Sequence, residues 1–203
     1  MSKRIDYYFT PVSPYTWLGH ARLREIAARR SAEIALHVVD LSRVFPVSGG
    51  IPLKDRAPQR QAYRLLELAR WREFLGVPLN IEPKYFPVPA QPAATTILAV
   101  AERHGTEVAL DVAGDIMRAL WVEERNIADA GTLSDILSER RLNAGPLLMH
   151  AVSAEIEERF EAHTREAIEH GVFGSPSYMV DGELFWGQDR LDFVDRKLAG
   201  MAS

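Results

Sequence analysis

The sequence predicts an α/β fold, ordered β-α-β, then an all-helical block, then β-β-α. Three observations carry this. A strand-like alternation at the N-terminus leads through Ser-Pro into a helical stretch and then an apolar run. A long middle section carries amphipathic helical spacing. Near the end, two short β-rich runs flank Asp181-Gly182, a hairpin signal, before a last helical pattern.

"RIDYYFT" places Ile5, Tyr7 and Phe9 on one face of a strand. Ser13-Pro14 then supplies an N-cap and a proline at the first helical position, and the helix is expected to run to about Arg30. "EIALHVVDL" is near-continuously apolar, as in a strand covered on both faces. Strand, helix, strand in that order favours a right-handed parallel crossover. "FPVSGGIP" breaks the pattern with Pro46, Gly49, Gly50 and Pro52. Beyond it, Ala62, Leu65, Leu66 and Ala69 form a helical stripe. A proline-rich loop follows, and then helices marked by Val112, Ile116, Ala119 and Leu120 and by Val152, Ile156 and Phe160. In "QDRLDFVDRKLAG", Leu191, Val194 and Leu198 share one side, with Asp189 near the start and Arg196 and Lys197 near the end, matching the helix dipole. A β-α-β unit and a β-β-α unit sharing one sheet make a thioredoxin-like domain, residues 1–50 and 172–203, with residues 51–171 as a helical insertion between its halves.

At 203 residues, 47% apolar and 26% charged, the chain has the make-up of a folded protein. A net charge of −4 argues against a nucleic-acid surface. The N-terminus has no long apolar core and no window approaches a membrane span, so no membrane partner and a cytoplasmic location are expected. There is no cysteine, which excludes a thiol cycle run by the protein's own side chains. None of the six histidines forms an i, i+4 pair with another, and no metal site is expected.

Ser13 is the first candidate. A capped helix start gathers a side-chain oxygen, backbone N–H groups and the positive dipole end at one spot, which favours an anion. Serine before proline is also simply a common cap. In thioredoxin-like proteins this corner holds Cys-x-x-Cys; here it reads Ser13-Pro14-Tyr15-Thr16. Such a corner keeps its affinity for a thiolate and cannot supply one. A thiol brought by a ligand, glutathione foremost, would fit, with Ser13 donating a hydrogen bond to sulfur and no general base required. Ser175-Pro176 stands where such folds place a cis-proline, and the residue before it can offer its backbone to an extended peptide. Pro176 could equally just open an edge strand. Asp189 reads as a first-turn acid or, with Gln188, as a holder of a γ-glutamyl end. Trp17, Phe45, Tyr85 and Phe86 are candidates for an apolar substrate pocket, and Tyr63, Trp71, Phe74 and Trp121 for core or dimer contacts.

"YYFTPVSPYTWLG", "VVDLSRVF", "AYRLLELARW", "VFGSPSYMV" and "ELFWGQDRLDF" span nearly the whole chain in one order. Together they resemble the 2-hydroxychromene-2-carboxylate isomerases and the kappa-class glutathione transferases, relatives of DsbA-like proteins. The resemblance implies glutathione as cofactor, a small aromatic substrate from aromatic catabolism, and a homodimer. It places Ser13 on the catalytic serine, Ser175 before the cis-proline, and Trp186, Gly187, Gln188 and Asp189 on the γ-glutamyl segment. Arg60 falls near a basic residue for the glycyl carboxylate. In the isomerases the thiolate is thought to add to the conjugated substrate and open its ring; bond rotation and expulsion of the thiol follow, without consuming it. Gly50 and Pro89 stand where the family often has asparagine. A kappa-like transferase or peroxidase, and a binding protein without catalysis, are the alternative readings.

Overall fold

The computed structural model describes residues 3–200. Strand β1 (Lys3–Phe9) leads into α1 (Pro14–Arg30) and β2 (Ala32–Val38). The Ser13 hydroxyl caps α1 by accepting the Thr16 N–H, and Ser31 ends it in the left-handed region at φ 51°. Helices α2 (Leu41–Ser48), α3 (Pro58–Leu75), α4 (Gln91–His104) and α5 (Thr106–Trp121) follow. Then come α6 (Ala130–Glu139), α7 (Ala144–Ala151) and α8 (Ala154–Glu169). The chain closes with β3 (Ser177–Val180), β4 (Glu183–Trp186) and α9 (Leu191–Gly200).

The sheet runs in the order β2-β1-β3-β4, with β1 parallel to β2 and the other pairs antiparallel. Asp181 and Gly182 take φ of 52° and 75°, as a two-residue hairpin turn with both central residues left-handed requires. This is a thioredoxin-like α/β fold with helices between its two halves. Both faces of β1 are covered. Ile5, Tyr7 and Phe9 enter the main core, where Tyr7 stacks on Phe9 at 4.4 Å and on Tyr178 at 5.6 Å. Tyr8 points the other way, into a smaller cluster with Val39, Ala167 and Val172 under α8. The main core continues from the sheet into α4 and α5. Among the described residues no helix is long and apolar enough to cross a membrane.

Several elements depart from the expectations. The α3 stripe is rotated: Leu68 is its buried residue, while Leu66 is 55% exposed. Val152 lies at the end of α7 and is exposed; α8 buries Ile156, Phe160, Thr164 and Ala167 instead. Trp121 is core, whereas Tyr63 and Phe74 are exposed. The "FPVSGGIP" break contains the end of α2, capped at its start by Asp40 on Ser42 N–H and closed by Gly49 at φ 75°.

Gly19 marks where α1 meets the start of α9. A Cβ there would lie 2.8 Å from the Gln188 Cβ and 3.1 Å from the Tyr178 hydroxyl. Alanine would gain about 1 kcal/mol of helix propensity, but overpacking against atoms that cannot swing aside costs about 1–3 kcal/mol. Gly19→Ala is therefore expected to lower the urea midpoint of unfolding; an unchanged or raised midpoint would show that the contact relaxes freely.

Candidate active site

A cleft of about 450 Å³ opens where β1 ends and α1 begins. Thr10 and Val12 to Tyr15 form its floor, and α2 with the loop through Ile51 forms one wall. Arg56, Arg60, Arg64 and Phe86 form a second wall, and Phe173 to Ser175 with Trp186 a third. The lining holds no acid, no histidine and no cysteine. The cleft is thus cationic and apolar, with hydroxyl groups at its base.

Ser13 and Ser175 are joined at that base. The Ser13 hydroxyl accepts the Thr16 N–H at 3.2 Å and donates to the Ser175 carbonyl at 3.1 Å. Ser175 Oγ accepts the Thr10 N–H at 2.9 Å and lies 2.9 Å from Thr16 Oγ1. The side chain of Ser175 therefore ties the strand end to the helix start. Its own backbone N–H donates to no acceptor among the described residues. The Ser175–Pro176 peptide is cis, as is Phe86–Pro87. No acid occupies the first turn of α1, so nothing within the helix opposes its positive end. Burial, with Glu67 adding to it, pushes the Tyr15 phenol up to about 12, and its hydroxyl donates to Glu67 at 3.4 Å. Tyr15 therefore stays protonated and serves as a donor.

Of the residues singled out in the sequence, Ser13, Ser175, Arg60, Trp186, Phe45 and Phe86 line the cleft. Trp17 does not: its Nε1 donates to the Pro78 carbonyl at 2.8 Å. Tyr85 packs against the core with Lys84 5.0 Å over its ring. Pro176 is buried at the head of β3 and accepts the Gly187 N–H at 2.9 Å. Gln188 is only 1% exposed, turned toward Gly19, and neither of its amide atoms has a partner. Asp189 is half-buried and pairs with Arg190 at 3.3 Å. These last residues follow Trp186 in the chain and lie outside the cleft lining.

Of the two positions where the sequence departs from asparagine, Gly50 has a physical explanation. Any Cβ at Gly50 would stand 2.3 Å from the Phe45 ring, so Phe45 covers the space an asparagine would take. Pro89 lines a neighbouring cavity of about 580 Å³, which shares Thr10, Val12, Leu41, Phe45 and Leu53 with the cleft. At the rim, the Trp186 indole lies across Gly174, where a Cβ would come within 2.3 Å of Nε1, and its ring is 4.8 Å from that of Phe173.

Sequence reasoning missed Arg56 and Arg64. Their signal was present: with Arg60 they recur every four residues, which is one helical face. It also missed a group outside the cleft, Glu102, His150 and Glu155, whose ligand atoms lie within 4.8 Å of one another. There Arg159 already pairs with Glu102 at 3.0 Å.

Comparison with known proteins extends this picture. The chain is 29% identical over 205 residues to 2-hydroxychromene-2-carboxylate isomerase of Pseudomonas putida, covering 94% of this chain and 92% of that one. It is 20% identical over 200 residues to glutathione S-transferase kappa 1 of Rattus norvegicus, covering 94% and 88%. The structure of a 2-hydroxychromene-2-carboxylate isomerase shares its fold with a TM-score of 0.85 at 23% identity, covering 97% of this chain and 94% of that one. The model of the DSBA-like thioredoxin domain matches residues 4–199. With its β-α-β and β-β-α halves around one helical block, and its hydroxyl-bearing corner at the start of α1, the chain belongs to the DSBA-like thioredoxin domain family.

Proposed function

We propose that the protein is a glutathione-dependent isomerase of a small conjugated aromatic carboxylate such as 2-hydroxychromene-2-carboxylate. The observation that carries this reading is the composition of the cleft. It gathers a helix N-terminus, three serines (two of them, Ser13 and Ser175, joined at its base) and three arginines, and it has no thiol, imidazole or carboxylate of its own. Such a site can stabilise a nucleophile but cannot be one. The names of the isomerase and kappa-class relatives support both the reaction class and the tripeptide.

The residues present fit glutathione. Ser175 offers a free backbone N–H beside the cis proline, suited to an extended peptide. Arg60 offers a cation at the open side for a terminal carboxylate. When bound, glutathione supplies a thiolate that adds to the conjugated substrate and is expelled again. The chain's part is to favour that thiolate. The positive end of α1 lowers the pKa of a thiol placed there. The Ser13 hydroxyl holds one proton, now directed to the Ser175 carbonyl; rotation about its C–O bond turns it toward sulfur. Phe45 and Phe86 provide apolar walls for a flat substrate and exclude water from it.

The test is turnover with a fixed amount of glutathione. Product is expected to accumulate far beyond the thiol added, with no thiol lost. Loss of thiol in proportion to product would overturn the isomerase reading in favour of a transferase or peroxidase. Neither turnover nor glutathione binding by calorimetry would leave a binding protein without catalysis. The reading includes a homodimer, for which exposed Tyr63, Leu66 and Phe74 on α3 offer an apolar face; sedimentation velocity reads the mass.

The γ-glutamyl end is assigned to the segment from Trp186 to Asp189. Since the Gln188 side chain is buried, Asp189 is left as the charged group for the α-amino end. Asp189→Ala is expected to raise the apparent glutathione KM about tenfold, the size of one charge-assisted hydrogen bond. The aromatic substrate's KM should hold; an unchanged glutathione KM would remove Asp189 from the site.

A further inference from the structure

The cleft contains more positive charge than one tripeptide carboxylate needs. Arg56 stands just before α3, and Arg60 and Arg64 lie in its first two turns, all three on the cleft. Their environments differ. Arg60 is exposed, as suits a group at the mouth, while Arg56 and Arg64 are half-buried. The other half-buried arginines, Arg22, Arg24, Arg30 and Arg125, each pair with a carboxylate. Arg56 and Arg64 pair with none among the described residues. Arg56 is at least tied down, its Nε donating to the Ile51 carbonyl at 2.8 Å.

Arg64 has neither a carboxylate nor a hydrogen-bond acceptor among the described residues. Glu67, one turn further along α3, takes the Tyr15 hydroxyl and makes no ion pair with Arg64. What Arg64 has is Phe86: the guanidinium carbon lies 5.3 Å from the ring centroid. A cation–π contact of this kind holds the guanidinium over the ring without using its N–H groups, which stay available to a planar anion. Burial, with Arg56 adding to it, pulls the Arg64 pKa down. A bound anion would relieve that cost. Burying a cation without a partner is unfavourable, and here the imbalance lies inside the cavity that faces the α1 N-terminus.

We infer that Arg64, with Arg56 beside it, is the receptor for a carboxylate carried by the second, aromatic ligand, distinct from the tripeptide carboxylate at Arg60. The guanidinium edge meets the carboxylate in a bidentate pair, and the ligand's ring continues along Phe86. This rests on the proposed function for the identity of the substrate, but its test does not depend on turnover.

The experiment compares 2-naphthoate with 2-naphthamide, two flat ligands that differ in charge, binding by calorimetry to wild type, Arg64→Leu and Arg64→Lys. Wild type is expected to prefer the naphthoate. Arg64→Leu should weaken naphthoate about 30-fold, as for loss of a charged hydrogen-bonded pair, and leave naphthamide within about twofold. Arg64→Lys should recover part of the naphthoate affinity, which a purely structural role would not produce. Glutathione affinity should stay at the wild-type level in both variants. The inference is overturned if wild type does not bind naphthoate, if both ligands weaken together, or if glutathione binding falls while naphthoate binding holds. Charge-selective binding through Arg64 in a protein that isomerises nothing would sink the proposed reaction and leave this inference standing.

Discussion

Ser13→Ala is expected to reduce kcat/KM for the proposed glutathione-dependent isomerisation by about 10²–10³-fold, the usual loss on removing one donor aimed at developing charge. The fold should lose far less. The side chain makes two bonds, a cap on the Thr16 N–H and a donation to the Ser175 carbonyl. Losing a cap costs about 1 kcal/mol, and the Ser175 carbonyl lies at the edge of an open cleft where water can replace the donor. The activity loss is larger because nothing nearby can take over. Tyr15 donates to Glu67, and Thr16 Oγ1 is engaged with Ser175 Oγ. A free thiol ionises near about 8.5, so without the hydroxyl less of the bound thiol is thiolate at neutral pH. The pH profile of kcat should therefore move upward in Ser13→Ala, and the ultraviolet thiolate band of the glutathione complex should weaken at pH 7. Equal rates and equal thiolate content in mutant and wild type would remove Ser13 from the mechanism.

That corner was legible because its chemistry is local. A serine followed by proline caps a helix whatever surrounds it, and the preceding alternation announces the strand that aims the cap into the cleft. The hairpin was legible for the same reason: Asp181-Gly182 accepts the left-handed conformations that most residues resist. Helix α4 was not. Every residue from Ala93 to Val100 is buried, so it carries no polar face and no periodicity to detect. Helix α3 misled for the opposite reason. Tyr63, Leu66 and Phe74 place apolar groups on its exposed side, and a stripe drawn through apolar residues alone settles on the wrong face.

The aromatic candidates show a different limit. Phe45 and Phe86 reach the cleft while Trp17 and Tyr85 do not, and composition cannot separate them. Trp17 is taken by a carbonyl 61 positions along the chain, a contact that exists only once α3 and its following loop have packed. Gln188 reads as a polar site residue yet is turned into the interior beside Gly19. Of the three cleft arginines only Arg60 was named from the sequence, through the family resemblance; the four-residue spacing of Arg56, Arg60 and Arg64 is present in the chain but says nothing of their function. What distinguishes Arg64 from a solvated arginine is that it has no partner among the described residues, and partners are a property of the fold.

The second large effect is on stability, and it comes from two histidines outside the cleft lining. Burial lowers the His20 pKa from its ordinary 6.5 to about 4, and burial with the nearby His37 charge does the same to His163. His20 is built to be neutral: its Nε2–H donates to the Leu110 carbonyl at 2.9 Å and its Nδ1 faces the Tyr7 hydroxyl at 3.4 Å. The His163 ring lies 5.1 Å from that of His37, with Nδ1 buried and without a partner. In the unfolded chain both rings take up a proton as the pH falls through about 6.5, whereas in the folded protein they resist until about 4. Across that window the unfolded state binds more protons, so stability is full above it and is lost as the pH falls. Each ring contributes about 2–3 kcal/mol, and the combined slope approaches about 2.7 kcal/mol per pH unit in mid-window. Urea unfolding at steps from pH 7 to pH 4.5 reads this directly. His20→Gln should start from lower stability, having lost a fitted ring, but its slope should be shallower by about one proton. A urea midpoint that stays level between pH 6.5 and 4.5 would show that the rings ionise freely in the folded state. Under the proposed function acid acts twice, protonating a ligand's thiolate held in the cleft and charging imidazoles in the interior, and the urea midpoint of the ligand-free protein reads the second alone.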